Sequence, residues 1–144
     1  MSELSRANLG WLLAKASQAW NQRLEQAFRE AGHPEVRASF GSVLVPLYEE
    51  DGLRMGELAC RSGLSKQAMT TLVRAVEDAG LVTRERDAGD ARATRVSLTS
   101  RGEELREVAE GVLANVGEWA RRRLSAEELE RLLDSLRKVV EDEK

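Results

Sequence analysis

Glu57-Leu58-Ala59-Cys60-Arg61-Ser62-Gly63-Leu64-Ser65-Lys66-Gln67-Ala68-Met69-Thr70-Thr71-Leu72-Val73-Arg74 is the most informative stretch of this sequence. A short helix is expected from about Gly56 to Arg61, and Ser62-Gly63-Leu64 reads as a turn, because glycine reaches the left-handed conformations that end helices. Ser65 is a strong N-cap and Gly80 a strong stop, which predicts a second helix from Ser65 to about Ala79. Helix, glycine turn and capped helix are the sequence form of a helix-turn-helix. On a helical wheel, Lys66, Gln67, Thr70, Thr71 and Arg74 fall within about 140°, and Met69, Leu72, Val73 and Val76 within about 100° on the other side. The first set are hydrogen-bonding side chains of moderate length, suited to base edges and phosphates in a major groove, while the apolar set docks the helix. A solvated amphipathic surface helix gives the same wheel; the neighbouring short helix and the hairpin that follows favour recognition.

Downstream, Leu81 to Arg86 and Thr94 to Thr99 read as two strands around the turn Asp87-Ala88-Gly89-Asp90, with Val96 and Leu98 inward. Arg84, Arg86, Arg92 and Arg95 flank that turn. An arginine on a protruding tip can enter a narrow minor groove, but Asp87 and Asp90 offset part of the charge, so charge alone also fits an ordinary β-turn. Upstream, a helix is expected from Pro34 or Glu35 to Glu50, with Phe40, Val43, Leu44, Leu47 and Tyr48 on its inner face. Pro46 inside it removes a backbone hydrogen bond and bends the axis. A short extended piece, Leu53 to Met55, follows.

The two ends are helical as well. Leu9, Leu12, Leu13, Ala16, Trp20, Leu24, Ala27, Phe28 and Ala31 stripe a helix from about Arg6 to Ala31, which Gly32 and His33-Pro34 terminate. Leu105, Val108, Ala109, Val112, Leu113, Val116 and Ala120 stripe another from about Ser100 to Arg123. Ser125 to Glu128 forms a capping box for a last helix from Ala126 to about Glu141, striped by Leu129, Leu132, Leu133, Leu136, Val139 and Val140. Such stripes must be covered, and in so small a chain a partner subunit is a reasonable cover. The chain is therefore expected to be mostly α with a small β-hairpin wing.

The chain has 144 residues, one domain's worth, with 33% charged and 42% hydrophobic residues. Its net charge is −3, unevenly spread: Arg54 to Arg101 holds nine Lys/Arg against six Asp/Glu, or +3, and the remainder is −6. A basic module on an acidic body fits a nucleic-acid binder. No apolar run approaches the ~18 residues of a membrane helix, and the N-terminus has no signal-peptide character, so the cytosol is expected. One Cys and one His exclude an internal disulfide and argue against a metal centre or a His-based catalytic triad. With no phosphate loop or nucleophile motif either, neither a cofactor nor an enzyme is expected.

Leu58-Ala59, Gly63-Leu64-Ser65-Lys66, Gly80-Leu81-Val82, Asp90-Ala91-Arg92-Ala93 and Val96-Ser97-Leu98-Thr99 followed by Gly102 together resemble the signature of the MarR family, bacterial winged-helix transcription regulators. The resemblance implies a winged helix-turn-helix with N- and C-terminal dimerisation helices: residues 35–99 as the DNA-binding region, and residues 1–34 and 100–144 joining a homodimer. It implies a recognition helix presenting Ser65, Lys66, Gln67, Thr70, Thr71 and Arg74 to double-stranded DNA. Arg92 becomes the wing-tip arginine of the minor groove, and Asp90 orients the wing through an ion pair. Two-fold symmetry then calls for a pseudo-palindromic operator with half-sites roughly 10 bp apart. The implied activity is transcriptional repression, relieved by a small aromatic or phenolic effector.

Trp11, His33, Arg37, Phe40 and Tyr48 are the candidate effector-pocket residues. Trp20 and Phe40 lie on core stripes, and two destinations fit Trp11, a dimer contact or a pocket wall. An exposed turn position accounts for His33, and Arg37 at a helix start could meet a carboxylate. Cys60, beside Ala59, reads as a small buried residue. Arg121-Arg122-Arg123 reads as cations at a helix C-terminus. A different reading of the whole is a winged-helix module that binds a protein and does not read DNA, supported by the acidic wing and by Ala91 between Asp90 and Arg92.

Overall fold

The computed structural model describes residues 2–141. Met1 and residues 142–144, the extremes of the two expected dimerisation segments, lie outside the described residues. Helix α1 (Leu9–Glu30) is capped by Asn8, whose side chain accepts from the Trp11 N–H at 3.2 Å, and Gly32 at φ +89° ends the chain's first helical run. Helix α2 spans Gly41–Glu49, α3 Met55–Ser62 and α4 Lys66–Asp78. Strand β1 (Leu53–Arg54) precedes α3, and β2 (Val82–Arg86) and β3 (Thr94–Leu98) follow α4. Helices α5 (Ser100–Arg121) and α6 (Ala126–Val140) complete the chain. The fold is mostly helical with a small antiparallel sheet, in which β3 lies between β1 and β2.

Three sequence expectations are corrected. Residues 35–37 are not helical: Val36 is buried from a loop and Arg37 is extended, so a 3-10 turn (Ala38–Phe40) leads into α2 six residues later than the later of the two expected starts. Met55 starts α3 rather than extending the strand before it. That strand, β1, pairs with β3 through Leu53 opposite Val96 and Arg54 opposite Arg95, and so adds a third strand to the expected hairpin. Cys60 is exposed. Met55, Leu58 and Ala59 form the buried face of α3, and Cys60 sits 100° past Ala59 on its outer side.

Pro46 is accommodated within α2. It has no N–H to offer the Ser42 carbonyl one turn back; the Ser62 hydroxyl at the end of α3 donates to that carbonyl instead, at 2.5 Å. The same junction holds the helix-turn-helix bend. Gly63 stands at φ +66°, and the Leu64 N–H returns to the Ala59 carbonyl at 3.0 Å. Ser65 then caps α4 by accepting from the Ala68 N–H at 3.1 Å.

One continuous core holds these pieces together. Val43 and Leu47 from α2, Leu58 from α3, Met69, Val73 and Val76 from α4, and Val82 and Val96 from the sheet are essentially fully buried. Leu24 and Phe28 of α1 and Leu105, Val112 and Val116 of α5 extend the cluster outward. Close packing reaches a limit at Gly102, where a Cβ would run into the Leu81 carbonyl. Helix α6 contributes no buried residue, although Ser125 and Glu128 cap it reciprocally at 3.1 Å each.

Candidate nucleic-acid interface

Docking of α4 through Met69, Val73 and Val76 turns its other face outward. Ser65, Lys66, Gln67, Thr71 and Arg74 are exposed there, and Thr70 is half-buried at the edge. The Thr70 hydroxyl donates to the Lys66 carbonyl at 2.8 Å and the Thr71 hydroxyl to the Gln67 carbonyl at 3.2 Å. With their protons so engaged, both oxygens present lone pairs to whatever lies outside. Among the described residues, neither Lys66 nor Arg74 forms an ion pair.

A cleft of about 410 Å³ separates the start of α4 from the wing. Arg54, Lys66, Arg84 and Arg92 line it with Glu57, Thr70 and Thr94, an excess of cations over carboxylates that suits a phosphodiester chain. Arg84 is tied to Glu77 of α4 at 3.0 Å. Arg92 is the free arm: its side chain is 96% exposed, and Asp90 is its neighbour at 3.8 Å. Asp90 also accepts from the Arg92 backbone N–H at 3.0 Å. The expected wing pair is thus in contact, as a loose one at the surface.

The sequence reading missed Arg54 and Asp87. Asp87 is the one buried charged residue among those described, 5% exposed at the base of the wing turn. Arg95 donates to one of its oxygens through Nε, and Arg54 to the other at 2.8 Å. The Arg95 guanidinium, helped by Arg54, holds the carboxyl below the usual carboxylate range against the opposing effect of burial. Alternation within the strands was the only available signal, and it says nothing about a turn residue whose partners come from two strands.

A second feature lies behind the interface, between α1, α2 and α5. It is an apolar cavity of about 280 Å³ walled by Leu24, Phe28, Phe40, Leu44, Leu105 and Leu113, with Arg37, Tyr48 and Arg106 among its polar groups. Of the expected pocket residues, Arg37, Phe40 and Tyr48 are together here, and Trp11 and His33 are elsewhere. Trp11 is exposed near the start of α1 with the Lys15 ammonium 4.8 Å from its ring centre. His33 stands 3.4 Å from Glu35, which also receives Arg101 at 2.9 Å. Tyr48 is fastened across the cavity's edge: its hydroxyl donates to the Gly102 carbonyl at 2.8 Å and Arg106 donates to its carbonyl at 2.6 Å. Burial, with the Glu103 carboxylate adding to it and Arg106 opposing, pushes the Tyr48 phenol up to about 12.

No described helix is long and apolar enough to cross a membrane, and no described cluster of three His, Cys, Asp or Glu could hold a metal ion. A family model described as the MarR family matches residues 40–94. The HTH-type transcriptional repressor Rv2887 of Mycobacterium tuberculosis is 36% identical over 93 residues, 62% of this chain and 67% of that protein. The transcriptional regulator HosA of Escherichia coli is 30% identical over 107 residues, 74% of this chain and 79% of its own. Among solved structures, the S. aureus MepR–DNA complex superposes with a TM-score of 0.78 at 25% identity, covering 92% of this chain and 96% of that one.

Proposed function

The chain belongs to the MarR family of transcriptional regulators, and on that premise we propose that it is a homodimeric repressor that reads double-stranded DNA through α4 and the wing. The reading rests chiefly on one arrangement: an exposed hydrogen-bonding face on α4 beside a cationic cleft that ends at Arg92. In this reading Ser65, Lys66, Gln67, Thr70, Thr71 and Arg74 enter the major groove. The threonine oxygens accept from exocyclic amino groups of bases, because their own protons are committed to the helix backbone. Arg92 reaches the minor groove, and Asp90 limits its sweep.

Residues 35–99 form the DNA-binding region, and the segments 1–34 and 100–144 join two copies. The exposed Leu12 and Leu13 of α1 and Leu132, Leu133, Val139 and Val140 of α6 support that division, since apolar stripes of this extent need a cover. The cavity beside Tyr48 takes a small aromatic or phenolic effector whose binding relieves repression; its apolar walls and the nearby Arg37 and Arg106 support that chemistry.

Selection of sites from a random duplex pool tests the proposal. Enrichment of an inverted repeat with half-sites about one helical turn apart is expected. Arg92→Ala should then lower the salt slope of the dimer by about 2, from ~0.9 per phosphate contact in each subunit. Absence of enrichment from a folded, dimeric sample overturns the DNA reading in favour of a protein-binding module. An unchanged slope removes Arg92 from the interface.

A further inference from the structure

Arg92 can act on DNA only if the turn that carries it is held at a fixed angle to α4. The sheet ladder alone is a weak support for that turn, because a short two-stranded projection is marginally stable in water. The wing turn has a second anchor. The Asp87 N–H bonds the Ala93 carbonyl at 2.9 Å, closing the turn, while its carboxylate faces back into the sheet. There it accepts from Arg95 of β3, from Arg54 of β1 at 2.8 Å and from the Gly89 N–H at 3.2 Å. Arg95 in turn donates through its other arm to the Gly52 carbonyl at 2.5 Å, ahead of β1. One carboxylate thus joins the turn to both of the strands that connect the wing with α3.

We propose that Asp87 is the positioning residue of the wing, setting the reach of Arg92 through the Arg54–Asp87–Arg95 cluster. This rests on the DNA reading above. A carboxylate of ordinary electrostatic effect would be unwelcome beside a polyanion, and its removal would strengthen DNA binding. A positioning carboxylate has the opposite sign: without it the cations are no longer held, the turn swings, and Arg92 loses its groove. The buried, doubly paired seat of Asp87 also separates it from Asp90, which makes only the surface contact described above.

The sign of the effect is the test. Asp87→Asn makes the wing more positive, and Arg95→Lys leaves its charge unchanged while losing the fork that spans Asp87 and Gly52. Both are expected to weaken binding to the selected operator by about tenfold or more, the scale of one lost charge-assisted contact. Glu85→Gln makes the same charge change as Asp87→Asn at an exposed strand position that forms no ion pair among the described residues, and should bind equally or tighter. Combining Asp87→Asn with Arg92→Ala should cost little beyond Arg92→Ala alone, because both act through one contact. If Asp87→Asn fails to fold in circular dichroism, Arg95→Lys and its combination with Arg92→Ala carry the test. Equal or tighter binding by the folded variants, or losses that add to that of Arg92→Ala, overturns the inference while leaving the DNA reading intact. An unaltered protein that selects no site overturns both.

Discussion

Helices α4 and α6 are built on the same plan and meet different fates. Each starts with a serine cap and carries a clean apolar stripe. On α4 that stripe is buried: Met69, Val73 and Val76 have no exposed surface. On α6 it is open, with Leu132 43% and Val140 77% exposed. The N-terminal half of α1 resembles α6 in this respect, with Leu9, Leu12 and Leu13 uncovered. An amphipathic pattern therefore states that a helix requires cover, and leaves open whether its own chain supplies it. Here the middle of the chain closes on itself while the apolar stripes of the ends stay uncovered.

The most severe way to break this contrast is to attack both stripes. Met69→Ala should cost about 2–5 kcal/mol in denaturant unfolding, the range for emptying a well-packed site. The pair Leu132→Asp with Leu133→Asp should barely change the stability of an isolated chain, because little contact within the chain is lost. If α6 joins two copies as proposed, sedimentation should show the variant as a monomer at concentrations where the unaltered protein sediments as a dimer, since a central apolar anchor is commonly worth about 2 kcal/mol or more at an interface. Equal losses of intrachain stability for both changes would mean that α6 is not the open element described here.

The contrast also explains what was readable in the sequence. Local patterning located each of the described α-helices, with α2 started too early, and both strands of the wing, and the glycine at position 63 with the serine at 65 placed the helix-turn-helix bend, because these are local effects. The faces of α4 followed from its wheel alone. What escaped was set by distant parts of the chain. Asp87 looks like a turn residue, and its partners Arg54 and Arg95 are joined to it only when β1 pairs with β3. Val36 is buried from a loop because the 3-10 turn folds beneath α1, which delays α2. The cavity draws Arg37, Phe40 and Tyr48 together from one short segment, and its remaining walls come from α1 and α5.

Tyr48 sits at the seam between the closed middle and the open ends, bonded from α2 to the start of α5, and it is the chain's only tyrosine. Its ultraviolet titration therefore reports one site. The midpoint should lie near 12, above the ordinary value of 10, because burial disfavours the phenolate. With the folded value raised, the stabilisation is complete below the unfolded value near 10 and is lost as pH climbs through about 12. Tyr48→Phe should cost about 1 kcal/mol, the net worth of the one hydrogen bond that it removes from the Gly102 carbonyl. A titration midpoint near 10 would show that the seam is open to water.

The smallest expected effect concerns Cys60, where one step around a short helix separates core from surface. Leu58 and Ala59 are buried, and Cys60 faces outward from the same turn. Cys60→Ser should accordingly change unfolding stability by no more than about 0.5 kcal/mol, as for most exposed positions. A thiol reagent should label the native protein at a rate close to that of the unfolded chain. A cysteine packed in the core would behave differently on both counts, since its hydroxyl replacement would bury an unpaired polar group at about 1–3 kcal/mol and labelling would wait for the fold to open. Slow labelling of the native chain together with a large loss of stability would place Cys60 on the closed side of the molecule, and would require α3 to be rotated on its axis by about 100° per residue of register.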